Sequence, residues 1–355
     1  MTYSAKVKHL YVNRENFGLA YIPYYNIISK WRIVDVLFLI FLGLLDGFWF
    51  QKIEPYQRQF TVNDITLSHP FATIERVPAK TLAIILIVGP TLIMFAFSMI
   101  LTPNKRKAYV FYVSFIGFAV GLATDLFITD VLKNWVGRQR PDFLARCVPD
   151  SSAEDNVLYF ARDICTTDDH KTLMDGFRTT PSGHSSSSFC GFGYLTFWLF
   201  GQLMVRNING GAWRSVVSIL PVILASYVAL SRTQDYRHHF VDVILGSLIG
   251  TLVGWWSYRR LFPPTNDPFC YVPYKLIEEK QKDNEYWLIR NRDFYDDDVL
   301  EPTITISPSR GEFSRTSNAL ETEALTTGHS SSEDFGSNYL NDLEAQLPRM
   351  AKTKF

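Results

Sequence analysis

Residues 81–101 read TLAIILIVGPTLIMFAFSMIL, and this stretch decides the fold class. It contains no charged residue, whereas a helix of a soluble bundle shows polar residues every third or fourth position on its solvated face. About 20 predominantly apolar residues are enough to cross the hydrocarbon core of a bilayer. The stretch therefore predicts a membrane-spanning helix and disfavours a soluble helical bundle.

Five further apolar stretches lie on either side of this one. The weakest is the first, because it is short and carries Asp35 and Asp46 near its ends. Asp125 lies deep in the third, where an acid is costly and is by default paired inside the bundle or functional. We therefore expect an all-α polytopic membrane protein. Its six transmembrane helices are predicted at residues 33–50, 81–101, 108–132, 184–205, 213–230 and 240–256.

Positive charge in the short loops predicts the orientation. The segment before the first span and the end of the last span are basic, and Lys105, Arg106 and Lys107 fill the tight turn between the second and third spans. Six alternating spans place these clusters on one side, which is expected to be cytoplasmic. The loops at 51–80, 133–183 and 231–239 are then expected on the lumenal or extracellular side.

The charge distribution divides the chain into three parts. The 35 basic and 35 acidic residues balance overall, but the residues from 266 onward hold 17 acids against 10 bases. We predict a cytoplasmic N-terminal segment at 1–30, a six-span domain at 31–256 and a mostly disordered, acidic cytoplasmic tail at 257–355. Serines near Arg310 and Arg315 are candidate substrates of a kinase. No basic patch interleaved with aromatic residues indicates nucleic-acid binding, and the first thirty residues lack the apolar core of a cleavable signal peptide.

The four cysteines do not indicate a metal site. They show no CxxC spacing and no paired histidine ligands, so zinc is not expected. Cys147 and Cys165 flank one loop. A disulfide in an oxidising compartment and two unpaired thiols are equally compatible with the sequence.

Three short segments place polar, phosphate-handling residues at the ends of the predicted spans. Each end lies on the non-cytoplasmic side, so the segments are expected to converge on one face of the bilayer. They are KNWVGRQRP at 133–141, PSGH at 181–184 and SRTQDYRHHFVD at 231–242.

These segments suit phosphoryl transfer, in which catalysis is mainly positioning and electrostatic stabilisation of charge on the phosphoryl oxygens. Lys133, Arg140 and Arg232 supply three cations, and an arginine fork binds two phosphate oxygens at once. Ser182 and Gly183 begin a predicted helix, where free N–H groups and the helix dipole favour an anion. No cluster of carboxylates suited to magnesium lies near the segments.

Two histidines are candidates for the covalent chemistry. We predict His238 as the nucleophile and expect Asp242, four residues on, to accept a hydrogen bond from one ring nitrogen. His184 would protonate the leaving oxygen and then activate water. A lone histidine at a helix start is usually a cap, and a lone cation at a membrane edge usually reaches to the headgroups. The prediction therefore depends on the whole set lying on one face.

The three segments resemble the signature motifs of the type 2 phosphatidic acid phosphatase superfamily, Lys-x6-Arg-Pro, Pro-Ser-Gly-His and Ser-Arg-x5-His-x3-Asp. All three occur without departure, in order, and the resemblance covers about residues 31–256. It implies phosphate binding by Lys133, Arg140, Ser182, Gly183 and Arg232. It also implies His184 as acid and base, and His238 with Asp242 as nucleophile and partner.

The six spans and the stretch RPDFLARC at 140–147 are most similar to lipid phosphate phosphatases, in particular the fungal diacylglycerol pyrophosphate phosphatases. This resemblance implies hydrolysis of phosphatidate, diacylglycerol pyrophosphate or lysophosphatidate through a phospho-histidine, without Mg²⁺ or another cofactor. We expect a vacuolar, Golgi, endoplasmic reticulum or plasma membrane, and a homo-oligomer is left open. The alternatives are a phosphatase for dolichyl pyrophosphate, sphingoid base phosphate or sugar phosphate, and a transporter or catalytically silent scaffold. The soluble, vanadate-binding haloperoxidase branch is disfavoured by the spans.

Overall fold

The computed structural model describes residues 24–50, 52–207 and 209–277. Residues 1–23 of the predicted N-terminal segment and residues 278–355 of the predicted tail lie outside this part of the chain. The described residues form helices and two isolated β-bridges but no strand, which confirms the all-α prediction.

Ten α-helices are defined in the described residues. A π-helical turn, Asp46–Phe50, continues the second of them. The helices are α1 (Tyr25–Lys30), α2 (Ile33–Leu45), α3 (Ala79–Leu101), α4 (Lys107–Val136), α5 (Phe143–Cys147), α6 (Ala161–Ile164), α7 (His170–Asp175), α8 (Gly183–Gln202), α9 (Trp213–Gln234) and α10 (Phe240–Leu261).

Six of these helices, α2, α3, α4, α8, α9 and α10, coincide with the six predicted spans. Four of them, α3, α4, α9 and α10, are long and apolar enough to cross a membrane. The first helix, α2, has only 13 residues before its π-helical turn. Helix α8 begins with a run of four serines and has four glycines along its length. The structure therefore does not confirm the number of six spans.

Helix α8 occupies the centre of the bundle, which explains its composition. It packs against α3, α4, α9 and α10, and all four serines at 185–188 are buried. Small residues allow helix backbones to approach closely inside a membrane bundle. A central helix of this kind meets other helices rather than lipid, so its sequence is freed from the requirement for a continuous apolar surface.

The contact between α8 and α10 is a contact between backbones. A Cβ atom added to Gly250 would lie 2.0 Å from the carbonyl oxygen of Ser186, and one added to Gly246 would lie 2.5 Å from that of Ser182. Larger residues at these two positions of α10 would force the helices apart. The packing thus brings the start of α8 beside the start of α10, where the second and third motif segments lie.

The connection between α4 and α8, together with part of the connection between α2 and α3, forms a separate small core. Phe60, Phe143 and Phe177 are buried in it, with edge-to-face contacts between Phe143 and each of the other two rings. A disulfide joins Cys147 to Cys165 inside the same cluster. The structure thus decides between the two alternatives for these cysteines in favour of the bond.

We expect the double substitution Cys147→Ser/Cys165→Ser to destabilise the protein. The bond closes a loop with a sequence separation of 18 residues, and removing a cross-link of that size costs about 3 kcal/mol. Thermal unfolding of the purified protein in detergent should show a lower midpoint, and reduction of the wild type should shift the midpoint by a similar amount. Ser151→Ala, an exposed change in the same loop, is the control. An unchanged midpoint in the double variant would contradict the assignment.

Candidate active site

The structure brings the three motif segments together. The Ser182 amide of the second segment donates to the carbonyl oxygen of Asp242 in the third at 3.0 Å. Arg140 of the first segment donates through Nη1 to the carbonyl oxygen of Arg237 in the third at 3.2 Å. The ammonium of Lys133 lies against the second segment, because a Cβ atom on Gly183 would be 2.8 Å from Lys133 Nζ. The convergence expected from the sequence is present.

Arg140 is buried and firmly held. Its Nε and Nη2 atoms donate to the carbonyl and carboxylate oxygens of Asp175, at 2.9 and 3.0 Å. Burial acts to raise the pKa of the Asp175 carboxyl. The charges of Arg140, Arg146 and Lys133 outweigh burial and hold this pKa well below its usual range. Asp175 is therefore an ionised anchor for Arg140.

Arg232 lies at the end of α9 with a side chain only 1% exposed. Its Nη1 and Nη2 atoms pair with Glu75 at 2.9 Å and with Asp235 at 3.0 Å. Its Nε atom donates to the hydroxyl of Ser231 at 3.1 Å. Neither carboxylate had been assigned a role from the sequence.

The first turn of α8 presents Gly183 and His184 to the site. Ser182 is the N-cap, and its hydroxyl accepts from the Ser185 amide at the long distance of 3.5 Å. Since the Ser182 amide already donates to Asp242, Ser182 can offer a phosphate only its hydroxyl hydrogen. The amides of Gly183 and His184 have no intrahelical acceptor, as at any helix start.

The His184 ring is aimed into the site without a partner for one nitrogen. Its Nε2 atom is buried and forms no hydrogen bond with any described residue. A buried polar atom of this kind is costly unless something satisfies it. A phosphate oxygen or a leaving oxygen would do so.

His238 is 4% exposed and precedes α10. Its Nδ1 atom lies 2.8 Å from the carbonyl oxygen of Thr179. A carbonyl oxygen can only accept, so Nδ1 carries the proton and Nε2 has a lone pair. Burial, with the positive charges of Arg140 and Lys133, lowers the pKa of His238 well below its ordinary value. The ring is therefore neutral, as a nucleophile must be.

The hydrogen bonds of the Asp242 carboxylate differ from the direct bond to His238 that the sequence predicts. No hydrogen bond joins its carboxylate to the His238 ring within the described chain. Its Oδ2 atom instead accepts from the hydroxyl of Thr179 at 2.7 Å and from the His239 amide at 2.9 Å. The Thr179 hydroxyl is in turn 3.2 Å from His238 Nδ1. Thr179 thus stands between the carboxylate and the ring.

The reason is that α10 begins after His238. The rule that residues four apart share a face holds only within a helix. His239 is the N-cap, and Asp242 turns back to its amide in a reciprocal capping arrangement. The prediction of a direct bond failed because it extended the helix by two residues.

Two further residues near the site had no sequence signal of their own. Thr180 donates to the other carboxylate oxygen of Asp242, and Arg138 pairs with the same oxygen at 3.3 Å. Thr180 immediately precedes the second segment and Arg138 lies at a variable position inside the first, so proximity along the chain was the available clue. Among the described residues, no group of histidine, cysteine or carboxylate side chains could hold a metal ion.

Comparison with known proteins places these residues in a family. Residues 114–265 match the PAP2 superfamily. The chain is 47% identical over 249 residues to diacylglycerol pyrophosphate phosphatase 1 of Saccharomyces cerevisiae, covering 70% of this chain and 86% of that protein. It is 30% identical over 253 residues to lipid phosphate phosphatase 2 of Arabidopsis thaliana, covering 71% of this chain and 84% of that protein.

A third relative is the probable diacylglycerol pyrophosphate phosphatase 1 of Schizosaccharomyces pombe, 40% identical over 63% of this chain and 80% of that protein. No solved structure matches the chain. The similarity extends over most of each relative, and the family match spans the three motif segments that the structure brings together. The chain belongs to the PAP2 superfamily.

Proposed function

We propose that this protein is an integral-membrane lipid phosphate phosphatase, with residues 31–256 as its phosphatase domain. One observation carries the proposal: the buried His238, with Nδ1 bonded to the Thr179 carbonyl oxygen, lies close to the charges of Arg140 and Lys133 at the ends of apolar, membrane-compatible helices. The relatives named as lipid phosphate and diacylglycerol pyrophosphate phosphatases support it. The substrates proposed are phosphatidate, diacylglycerol pyrophosphate and lysophosphatidate.

In this proposal the phosphate group enters between the first and second motif segments. Lys133, Arg140 and Arg232 neutralise its oxygens, and the first-turn amide of Gly183 and the hydroxyl of Ser182 donate to it. Preorganised donors of this kind stabilise charge that spreads over the phosphoryl oxygens in the transition state. This neutralisation by side chains is also why we propose that no Mg²⁺ is needed.

The covalent step begins at His238. Its Nε2 lone pair attacks phosphorus while the bond from phosphorus to the leaving oxygen breaks. His184, protonated at Nε2 once the anionic phosphate is bound, gives that proton to the oxygen, which leaves as the hydroxyl of a diacylglycerol or as phosphatidate. His184 then takes a proton from water, the water oxygen attacks phosphorus, and the phosphorus–nitrogen bond breaks. One group can serve as acid and then as base in this way.

Asp242 is proposed to act on the nucleophile through Thr179. The positive charge that develops on His238 during attack is stabilised by the Thr179 carbonyl at Nδ1. The carboxylate fixes that threonine through its hydroxyl. Asp242 is then a positioning residue, and the contact that matters for the ring passes through one intervening side chain.

Thr179→Val should separate this role from general packing. Valine keeps the shape but removes the hydroxyl between Asp242 and His238. We expect kcat to fall roughly tenfold, the usual scale for one lost buried hydrogen bond to a charged group, with little change in KM. Thr179→Ser should retain most of the activity.

Thr180→Val is the matched control for this experiment, because Thr180 also donates to Asp242 but, in the described part of the chain, forms no hydrogen bond with the His238 ring. Steady-state kinetics on phosphatidate in detergent micelles would compare the three variants. Equal losses in Thr179→Val and Thr180→Val would argue against a specific role of Thr179.

The proposed function predicts phosphate release in the presence of EDTA. Purified protein should hydrolyse phosphatidate, diacylglycerol pyrophosphate and lysophosphatidate at equal surface concentrations, and His238→Asn should abolish all three activities. Dolichyl pyrophosphate and a sphingoid base phosphate belong in the same panel, because they represent the second candidate function. Activity lost in EDTA and restored by Mg²⁺ would overturn the metal-free mechanism. Preference for either of the last two lipids would change the substrate assignment.

We further propose that the site faces the lumen or exterior, with both termini in the cytoplasm. The disulfide Cys147–Cys165 lies on the same connection as the first motif segment, and disulfides persist in oxidising compartments. Arg259 and Arg260 lie at the opposite end of α10 from Asp242, as expected of a cytoplasmic end. The membrane is proposed to be vacuolar, Golgi, endoplasmic reticulum or plasma membrane.

Leu158→Ser tests this orientation, because it creates an acceptor sequence for N-glycosylation at Asn156. Residues 156 and 158 are exposed in the α4–α8 connection, so a lumenal site should acquire a glycan. The readout is a mass increase that a glycosidase reverses when the variant is made in eukaryotic cells. Adding Asn156→Gln should remove the increase. An active but unglycosylated Leu158→Ser protein would contradict the orientation.

The remaining alternatives and partners are still predictions from the sequence. A transporter or silent scaffold is disfavoured because both histidines lie together in the site. A homo-oligomer and a kinase acting on the tail serines remain predictions from the sequence, and the tail lies outside the described residues.

A further inference from the structure

Residues 69–77, which we call the strap, lead into α3 and touch all three motif segments. None of them belongs to a motif. One contact to each segment shows this. The His69 amide donates to the carbonyl oxygen of Pro141 in the first segment at 3.1 Å, and the Val77 backbone is hydrogen-bonded to the His184 ring of the second. The carbonyl oxygen of Ala72 accepts from Arg237 Nη2 of the third segment at 2.9 Å. The strap is therefore placed to hold the segments in a fixed relation.

Glu75 is the residue of the strap that reaches a proposed phosphate ligand. Its Oε2 atom is 2.9 Å from Arg232 Nη1, and its Oε1 atom is 3.0 Å from Arg237 Nη2. One carboxylate thus joins two guanidinium groups that would otherwise repel each other. The Glu75 side chain is 25% exposed, whereas that of Arg232 is 1% exposed.

The contacts of Arg232 leave a specific pair of donors for a ligand. A guanidinium has five N–H groups. Ser231, Glu75 and Asp235 accept one each, from Nε, Nη1 and Nη2 respectively. Among the described residues, this leaves one N–H group on each terminal nitrogen of Arg232 for phosphate oxygens. The two carboxylates fix the plane in which this fork lies.

Asp235 cannot replace Glu75 in this task. Its carboxylate is already shared, because it also accepts from the amide and from the guanidinium of Arg76 in the strap. Among the described residues, Asp235 forms no ion pair with Arg237, so it does not directly offset that neighbouring positive charge. Loss of the Glu75 charge would leave Arg232 with one carboxylate partner, Asp235, which is shared with Arg76. It would also remove the carboxylate that lies between Arg232 and Arg237.

We propose that Glu75 is a positioning residue for phosphate binding, acting through Arg232. Its carboxylate holds the fork of Arg232 toward the phosphate and balances the charge of Arg237. The identity of the phosphate-bearing molecule as a lipid rests on the proposed function, but the recognition of the phosphate group does not. Glu75 itself stays on Arg232 when phosphate binds.

Phosphate binding can be measured without catalysis. The thermal midpoint of the detergent-purified protein rises with the concentration of inorganic phosphate if phosphate binds the folded state, and the concentration dependence gives an apparent Kd. Glu75→Gln keeps the shape and removes the charge. We expect its apparent Kd for phosphate to be roughly tenfold weaker, the scale of one lost charge-assisted contact, and KM for phosphatidate to rise in parallel. Glu75→Asp should give an intermediate value.

Glu54→Gln is the control, because Glu54 precedes the strap in the same connection and forms an exposed pair with His170 outside the site. It should leave the Kd for phosphate unchanged. The double variant Glu75→Gln/Arg237→Gln removes the neighbouring positive charge together with the carboxylate. It should recover part of the phosphate affinity lost in Glu75→Gln, and Glu75→Asp carries the comparison with the wild type if Glu75→Gln does not fold.

Wild-type affinity in Glu75→Gln, tighter phosphate binding in it, or no recovery in the double variant would overturn the proposal. Tighter binding would mean that Glu75 competes with phosphate for Arg232. If the wild type binds inorganic phosphate but hydrolyses none of the lipid phosphates, the proposed function fails while this inference is still tested by binding.

Discussion

The backbone contact between α8 and α10 is the constraint on which the site depends. Gly246 and Gly250 let α10 lie directly on the carbonyl groups of Ser182 and Ser186. Only at that separation can the Ser182 amide bond to Asp242 and the Thr179 carbonyl reach His238. His184 lies in the first turn of α8 and His238 lies just before α10, so the relation between the two imidazoles is set by this packing. Small residues in the membrane core and reactive residues at its edge are thus parts of one arrangement.

The arginine side chains of the site are largely buried, and their orientation must be fixed by neighbouring groups. Removing charges from water is expensive unless each is paired in good geometry. Arg140 is paired with Asp175, and Arg232 is paired with Glu75 and Asp235. These carboxylates reduce the net positive charge of the site, but they fix the direction in which the arginine N–H groups point. The ammonium of Lys133, which has no ion-pair partner among the described residues, contributes charge at the start of α8.

The sequence was sufficient to predict the helical class, the six principal helices and the convergence of the motif segments, because apolar length and chain alternation determine them. It was insufficient where the outcome depended on a helix boundary. Asp242 could be placed near His238, but whether α10 included His238 decided whether the two would touch. The sequence also did not show that α8 is the central helix, because its serines are buried among other helices rather than exposed to lipid.

Glu75 and Thr179 were missed for a shared physical reason. Neither belongs to a motif, and each is found by its contacts with motif residues: Glu75 pairs with Arg232, and Thr179 lies between Asp242 and His238. Motif residues indicate which atoms can meet a phosphate, but the orientation of those atoms is set by contacts between distant parts of the chain. Glu75 is 157 positions from Arg232 and Thr179 is 59 from His238. Contacts at such separations follow from the packed helices, so the supporting residues became visible only once α3, α8 and α10 were in place.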